Sequence, residues 1–224
     1  MNNNIINVAI DGPAGAGKST VARGAAKQLG YIYVDTGALY RAIGVNALRN
    51  GVDTKDKAAV AASLDGVKVN LVFENGEQKV MLNGEDVSVE IRTPEASMAA
   101  SYVSAVPEVR AFLFDLQRDI AKRNSCIMDG RDIGTVVLPQ AQVKIFLTAS
   151  PEIRAERRYK ELIEKGSEVD YQSVLDDIVK RDYNDSHREI APLKPAEDSV
   201  LFDTTGLALD ESVAAITKII KEKI

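Results

Sequence analysis

Gly12-Pro13-Ala14-Gly15-Ala16-Gly17-Lys18-Ser19 reads G-x-x-x-x-G-K-S and follows directly on an apolar run from Ile5 to Ile10. Glycines permit the bend in which successive backbone N–H groups point inward at phosphate oxygens. Lys18 adds a point charge at the β- and γ-phosphates, and Ser19 supplies a hydroxyl ligand for Mg²⁺. The helix that starts here aims its positive dipole end at the same anion. With glycine at about 7% of residues in ordinary proteins, the four fixed positions recur by chance in about one chain of this length in a hundred. The context lowers that further. Ile5, Ile6, Val8, Ala9 and Ile10 read as a buried parallel strand. Val21, Ala22, Ala25, Ala26 and Leu29 share one face of a helix over Ser19 to Leu29, which Gly30 ends. Gly12 to Ser19 is therefore predicted to be a phosphate loop that holds a nucleoside triphosphate.

A chain of 224 residues buries a full core and suits one domain with room for a small insertion. The net charge of −5 gives no basic field for nucleic acid or an anionic membrane. No apolar run approaches the length of a spanning helix, and Met1-Asn2-Asn3-Asn4 lacks the basic segment of a signal peptide. The expected location is cytoplasmic. The single cysteine, Cys126, excludes an internal disulfide and a cysteine-cluster metal site; beside Ile127 and Met128 it reads as a small buried hydrophobe. The single histidine, His187, has polar neighbours and reads as a solvated side chain, which argues against Ser/His/Asp or Cys/His nucleophilic chemistry.

Short apolar runs recur at Ile5–Ile10, Tyr31–Val34, Cys126–Met128, Val143–Leu147 and Val200–Phe202. Helical periodicity separates them. Val109, Phe112, Leu113, Leu116 and Ile120 mark a helix over Pro107 to Arg123. A second begins near Pro151, capped by Ser150. A third runs from about Tyr171 to His187 with Val174, Leu175, Ile178 and Val179 inward, and a last spans about Asp210 to Lys223. This alternation predicts an α/β fold with a five-stranded parallel sheet covered on both faces. One stretch departs from it: Val67, Val69, Leu71 and Phe73, then Val80 and Leu82, then Val87, Val89 and Ile91 alternate, separated by Asn75-Gly76 and Asn83-Gly84. That pattern predicts a small antiparallel three-stranded insertion, either a decorative excursion or a mobile element over a substrate cleft. Thr93-Pro94-Glu95 reads as the helix start that closes it. The expected division is a core of residues 1–64 and 95–224, an insertion of 65–94 and a helical lid of about 152–168.

The carboxyl ends of the strands are where such a sheet places chemistry. They carry Asp35-Thr36-Gly37 with Tyr40-Arg41 beyond, Asp129-Gly130-Arg131-Asp132, and then Arg154, Arg157 and Arg158 on one helical face. Arg181, Asp185 and Arg188 share a face of a later helix. Each has an ordinary alternative: Arg181 and Asp185 as a surface pair worth a few tenths of a kcal/mol, the Arg154 cluster as a solvated face paired with Glu152, Glu156 and Glu161, and Asp129 as a turn cap. Their convergence on the phosphate-loop edge favours phosphoryl transfer, in which charge spreads over the equatorial oxygens of the migrating group. The scarcity of histidine fits a phosphate acceptor, whose second pKa of about 6 leaves its oxygens ionised without a general base.

With these residues in place the chain resembles the bacterial cytidylate kinases, nucleoside-monophosphate kinases, over essentially its whole length. The resemblance rests on Ile10-Asp11-Gly12-Pro13, Asp35-Thr36-Gly37-Ala38-Leu39-Tyr40-Arg41, Glu90-Ile91-Arg92-Thr93, Asp129-Gly130-Arg131-Asp132-Ile133-Gly134-Thr135-Val136-Val137, Lys144-Ile145-Phe146-Leu147, Arg157-Arg158, Arg181-Asp182, Asp185 and Arg188. It implies transfer of the ATP γ-phosphoryl group to CMP or dCMP in pyrimidine nucleotide metabolism. It implies that Gly12, Pro13, Ala14, Gly15, Ala16, Gly17, Lys18, Ser19 and Thr20 hold ATP, with Lys18 bridging to the transferred group and Ser19 on Mg²⁺. Ser101, Arg110 and Asp132 are expected to read the cytosine edge with help from Arg188, and Arg181 and Asp185 to meet the sugar. Thr36, Arg41 and Arg131 are expected near the acceptor phosphate, and Arg157 and Arg158 on the closing lid. Whether Asp35 or Asp129 touches Mg²⁺ through water stays open. A monomer acting on small molecules is expected. A guanine-nucleotide switch would carry N-K-x-D, and a shikimate-type kinase would lack the insertion and the Asp129–Val137 segment.

Overall fold

In the computed structural model, which describes residues 5–74, 77–164 and 166–224, the first strand β1 (Asn7–Asp11) is buried along nearly its whole length. It leads through the glycine-rich loop into α1 (Lys18–Leu29), which Gly30 ends in the left-handed conformation. Next come β2 (Ile32–Asp35), α2 (Thr36–Arg49) and the short α3 (Lys57–Ala62). After the insertion, α4 (Pro94–Val103) and α5 (Pro107–Arg123) precede β6 (Cys126–Gly130), a π-helical turn over Ile133–Val137, and β7 (Val143–Thr148). The chain closes with α6 (Pro151–Glu164), α7 (Tyr171–His187), β8 (Val200–Asp203) and α8 (Leu209–Lys223).

The five parallel strands lie in the order β2-β6-β1-β7-β8. Helices cover both faces. On one, Val21, Ala22, Ala25 and Ala26 of α1 and Val213, Ile216 and Ile220 of α8 pack on Val8, Ile10, Ile145 and Leu147. Burying each large aliphatic side chain contributes roughly 1.5–3 kcal/mol. All carboxyl ends of the strands face one edge, so the loops that follow them converge. The expected fold class is thus present. Cys126 is fully buried, its thiol pushed up to about 12 by burial, and His187 is exposed, stacked on Tyr183. Val179, expected inward, is exposed, while Val174 and Ile178 of the same helix are buried.

The insertion is a second, antiparallel sheet of β3 (Val69–Glu74), β4 (Glu77–Leu82) and β5 (Glu85–Asp86). Asn83 and Gly84 both take positive φ, 51° and 89°, as the tight turn between β4 and β5 requires; Asn75-Gly76 lies outside the described residues. The third strand is shorter than its alternation suggests. Asp86 accepts a bond from the Ser88 amide (2.9 Å), bending the chain away from the ladder, and the Ser88 hydroxyl meets the Val80 amide (2.9 Å) in place of a strand partner. Val89 is consequently 86% exposed, and Glu90–Arg92 forms a single 3₁₀ turn. Val69, Val80, Leu82, Val87 and Ile91 share one hydrophobic core with Leu39 and Ile43 of α2 and with Val103 and Leu113. The insertion therefore rides on α2 and α4 as part of their packing.

Gly44 of α2 marks the closest approach to α4. A Cβ placed there would sit 2.8 Å from the Ala99 Cβ. Gly44→Val is expected to destabilise the fold by about 1–3 kcal/mol through overpacking, read as a lower urea midpoint at unchanged slope; a variant as stable as the parent would contradict the tight α2–α4 contact.

Candidate active site

Backbone crowding shapes the loop. Gly12 has φ 150°, and a Cβ there would lie 1.9 Å from the Leu147 carbonyl oxygen, so no side chain fits. Lys18 is buried and donates to the Pro13 carbonyl oxygen at 2.7 Å. Burial, reinforced by the charge of Arg131, pushes its ammonium well below the usual range. The Ser19 hydroxyl donates to Asp129 Oδ2 (2.8 Å), and the Tyr33 hydroxyl to Asp129 Oδ1 (3.1 Å). Burial, then repulsion from Asp35, raises the Asp129 carboxyl to about 6.

Beside this lies a cationic wall. Asp35 caps α2 by accepting from the Ala38 amide (3.0 Å) and holds Arg41 Nη2 at 2.7 Å. Burial pushes the Asp35 carboxyl up, but Arg41, the Ala38 amide and the charge of Arg92 outweigh it and hold it low. The backbone of Asp35 is gripped by Gln78 of β4, whose Oε1 accepts from the Asp35 amide (2.9 Å) and whose Nε2 donates to its carbonyl (3.2 Å). The Thr36 hydroxyl donates to the Asp129 carbonyl (2.8 Å). Arg131 Nε donates to Asp185 Oδ2 at 2.8 Å; burial opposes the charge of Arg131, and Asp185 outweighs it. Behind them, the Asp11 carboxylate accepts from the Ile133 (2.8 Å) and Gly134 (2.7 Å) amides and fixes the turn that carries Asp132.

At the far end Asp132 is clamped between two arginines: Arg110 Nη2 donates to Oδ2, and Arg188 Nη2 donates to Oδ1 at 3.0 Å. Arg110 stacks over Tyr40, 5.8 Å from the ring centre. Along α4, Ser97, Ser101 and the capping Ser104 recur at spacings of four and three. Ser97 accepts from Arg181 Nη1 (2.9 Å), and Ser104 from Arg188 Nη1 (3.3 Å). The Ser101 hydroxyl is buried without a partner among the described residues, as is Arg181 Nε. Burial, then Arg131, lowers Arg181 to about 10.

Together these groups open on one cleft of about 800 Å³. Ala14 to Thr20, Thr36, Arg41, Ser101, Arg131, Asp132, Arg157, Arg158, Arg181, Asp185 and Arg188 line it. Gly12, Pro13 and Arg110 are not among the residues that line it. Arg181 and Asp185 are not a surface pair: Asp185 is 4% exposed and bonds Arg131 instead. Arg154, 3% exposed, is not a solvated side chain either. It joins the Ala149 carbonyl (2.9 Å), the Ala14 carbonyl of the loop (3.0 Å) and Asp182 of α7 (2.6 Å). Arg157 and Arg158 reach the cleft, where Arg157 bonds Thr204 (3.1 and 2.9 Å) and Arg158 bonds Glu161 (2.8 Å). Residues that sequence reasoning missed are Ser97, Ser104, Gln78 and the Arg154–Asp182 pair; the serine spacing on α4 was the available signal.

Comparison with known proteins agrees in family and fold. The sequence profile of the cytidylate kinase family matches residues 8–222. The chain is 53% identical to a cytidylate kinase of Lactobacillus johnsonii, covering 99% of this chain and 96% of that protein. It is 49% identical to a cytidylate kinase of Caldicellulosiruptor bescii, covering 98% and 99%. Among solved structures, a protein of Eubacterium ventriosum aligns with a TM-score of 0.53 at 13% identity, covering 96% and 98%. Shikimate kinase of Bacteroides thetaiotaomicron aligns with a TM-score of 0.50 at 10% identity, covering 97% and 99%. These two likenesses concern the fold alone.

Asp11 makes the stability pH-dependent. Burial raises its carboxyl from 3.8 to about 6 against the two amides. The folded state then binds more protons than the unfolded one between about pH 4 and 6, so unfolding free energy falls as pH rises through that window and levels above it. Asp129 acts in the same sense. Each contributes on the order of 2–3 kcal/mol. Urea denaturation at pH 4.5 and 7 is expected to show the decline, and Asp11→Asn to reduce it; an equal decline in the variant would remove Asp11 from the account.

Proposed function

This chain belongs to the cytidylate kinase family, and from that premise we propose how its cleft divides the work of the reaction. The enzyme transfers the γ-phosphoryl group of ATP to CMP or dCMP, giving ADP and CDP or dCDP. The observation that carries the residue assignment is the meeting, in one cleft, of the phosphate loop with the Arg41, Arg131 and Arg181 guanidiniums and with the Asp132 carboxylate held between Arg110 and Arg188.

The loop from Gly12 to Thr20 binds the ATP phosphates, and Lys18 exchanges the Pro13 carbonyl for the β- and γ-phosphate oxygens. Ionised phosphates restore the ammonium that burial disfavours. The donor set beside it suits a hard cation: the Ser19 hydroxyl and the Asp129 carboxylate, 2.8 Å apart, offer oxygens only. They would hold Mg²⁺, which would supply charge neutralisation for the ATP phosphates. Thr36, Arg41 and Arg131 receive the acceptor phosphate, and its ionised oxygen attacks without a general base. Arg181 and Asp185 position the sugar. Ser101, Asp132, Arg110 and Arg188 present both acceptors and donors to the cytosine edge; the orphan Ser101 hydroxyl supplies one of them. Arg157 and Arg158, on the lid of about 152–168, turn from Thr204 and Glu161 to the migrating phosphoryl group as the site closes and excludes water. Residues 65–94 form the closing element on the acceptor side of the core. A cytoplasmic monomer acting on free nucleotides completes this reading.

Coupled ADP-release assays on CMP, dCMP, UMP, AMP and shikimate test it. CMP or dCMP is expected to give the highest kcat/KM, and equal or better use of AMP or shikimate would refute the assignment. Arg110→Met is expected to raise KM for CMP at least tenfold while leaving KM for ATP within about twofold, since a charged hydrogen bond contributes roughly 1.5–3 kcal/mol. Unchanged CMP kinetics would take Arg110 out of the base-reading set.

A further inference from the structure

The Glu90-Ile91-Arg92-Thr93 motif has no part in the assignments above, yet Arg92 lines the same cleft. It sits on the 3₁₀ turn that leaves the insertion, one residue before the Thr93 cap of α4. Ile91 anchors the turn in the core shared with α2, so the position of Arg92 is set by packing. The side chain itself is exposed. Its Nε donates to the Ser88 carbonyl at 3.2 Å, and its two terminal nitrogens have no partner among the described residues.

The axis of α4 tells which part of the acceptor these nitrogens face. Ser101 and Ser104 stand at the end that meets Asp132, Arg110 and Arg188, the proposed base site. One turn nearer the N-terminus, about 6 Å along the axis, Ser97 meets Arg181, the proposed sugar site. Arg92 continues this line past the start of the helix. Base, sugar and phosphate of a nucleotide follow in that order, so Arg92 lies at the phosphate end. Two further observations agree with this placement. Its charge is felt at Asp35, the carboxylate that holds Arg41. Gln78, from the same insertion, clamps the Asp35 backbone with two hydrogen bonds.

We propose that Arg92 is a further acceptor-phosphate ligand, a guanidinium that the insertion delivers to the phosphate of CMP opposite Arg41. The insertion is then neither decoration nor a passive cover; it carries one of the charges that bind the substrate. Arginine suits the role, because its planar fork can take two phosphate oxygens at once.

The inference rests on the reading that Arg41 meets the acceptor phosphate, and the test separates the two. Kd values for CMP and for cytidine, which lacks the phosphate, would be measured by titration calorimetry on Arg92→Met, Arg92→Lys, Arg41→Met and the parent. Arg92 is exposed, so its truncation leaves the core intact, and thermal melting checks this. Arg92→Met is expected to weaken CMP about tenfold or more and cytidine less than twofold, with KM for ATP unchanged and Arg92→Lys intermediate. Equal weakening of CMP and cytidine, no weakening of either, or a rise confined to KM for ATP would overturn the role of Arg92. If Arg41→Met shows the phosphate-specific loss and Arg92→Met does not, the proposal falls and the reading of Arg41 stands. If Arg41→Met shows no such loss, that reading falls and takes the proposal with it.

Discussion

The pairing of β1 with β6 sets Ile10 opposite Asp129 and Asp11 opposite Gly130, and the rest of the cleft is built on this register. It puts Asp129 beside Ser19 at the start of α1, and it lets Asp11 reach across to the amides of Ile133 and Gly134. The glycine-rich loop and the turn that carries Asp132, proposed to meet the two nucleotides, are thereby fixed to a single pair of strands. A slip of one residue would exchange the faces of every side chain on β1. It would carry Asp129 away from Ser19 and leave the Ile133 and Gly134 amides without the Asp11 carboxylate as acceptor.

The charge balance of the cleft suits it to phosphates. Arginines of α2, α5 and α6, of the turn after β6 and of the end of α7 pair with carboxylates around the cleft: Arg41 with Asp35, Arg110 and Arg188 with Asp132, Arg154 with Asp182, Arg131 with Asp185. Burial and mutual repulsion still depress Lys18 and Arg181. Those two cations lack adequate counter-charge, and water is largely excluded from them. Phosphate oxygens entering the cleft relieve that cost, which makes binding energy available from strain already present in the protein.

Much of this was legible in the sequence. Apolar runs bounded by turn residues gave the five strands, and their carboxyl ends gave Asp35, Asp129, Arg131 and Asp132 as neighbours of the loop. What remained hidden depended on side chains that turn against their local pattern. Arg181 and Asp185 have the spacing of a surface pair, but each faces inward to a partner on another element, Ser97 and Arg131. Arg154 shares a helical face with Arg157 and Arg158, yet it is consumed by two carbonyls and Asp182. The third strand of the insertion is cut short because the Asp86 side chain competes with the ladder, a contest that alternation of apolar residues does not register. Gln78 was invisible for a related reason. Its partner is the backbone of a residue far away in sequence, and no side-chain motif records such a bond.

The burial of Cys126 has a practical side. The only thiol of the chain lies at the start of β6, fully enclosed, bonded to Asn7 and raised to about 12, so it presents almost no thiolate to reagents. A cysteine introduced on the exposed face of α7, at Val179 for instance, would then be the sole reactive group without any need to remove the native one. The fold thus supplies its own silent background for attaching a fluorophore and testing whether α6 and α7 approach the phosphate loop as the proposed lid requires.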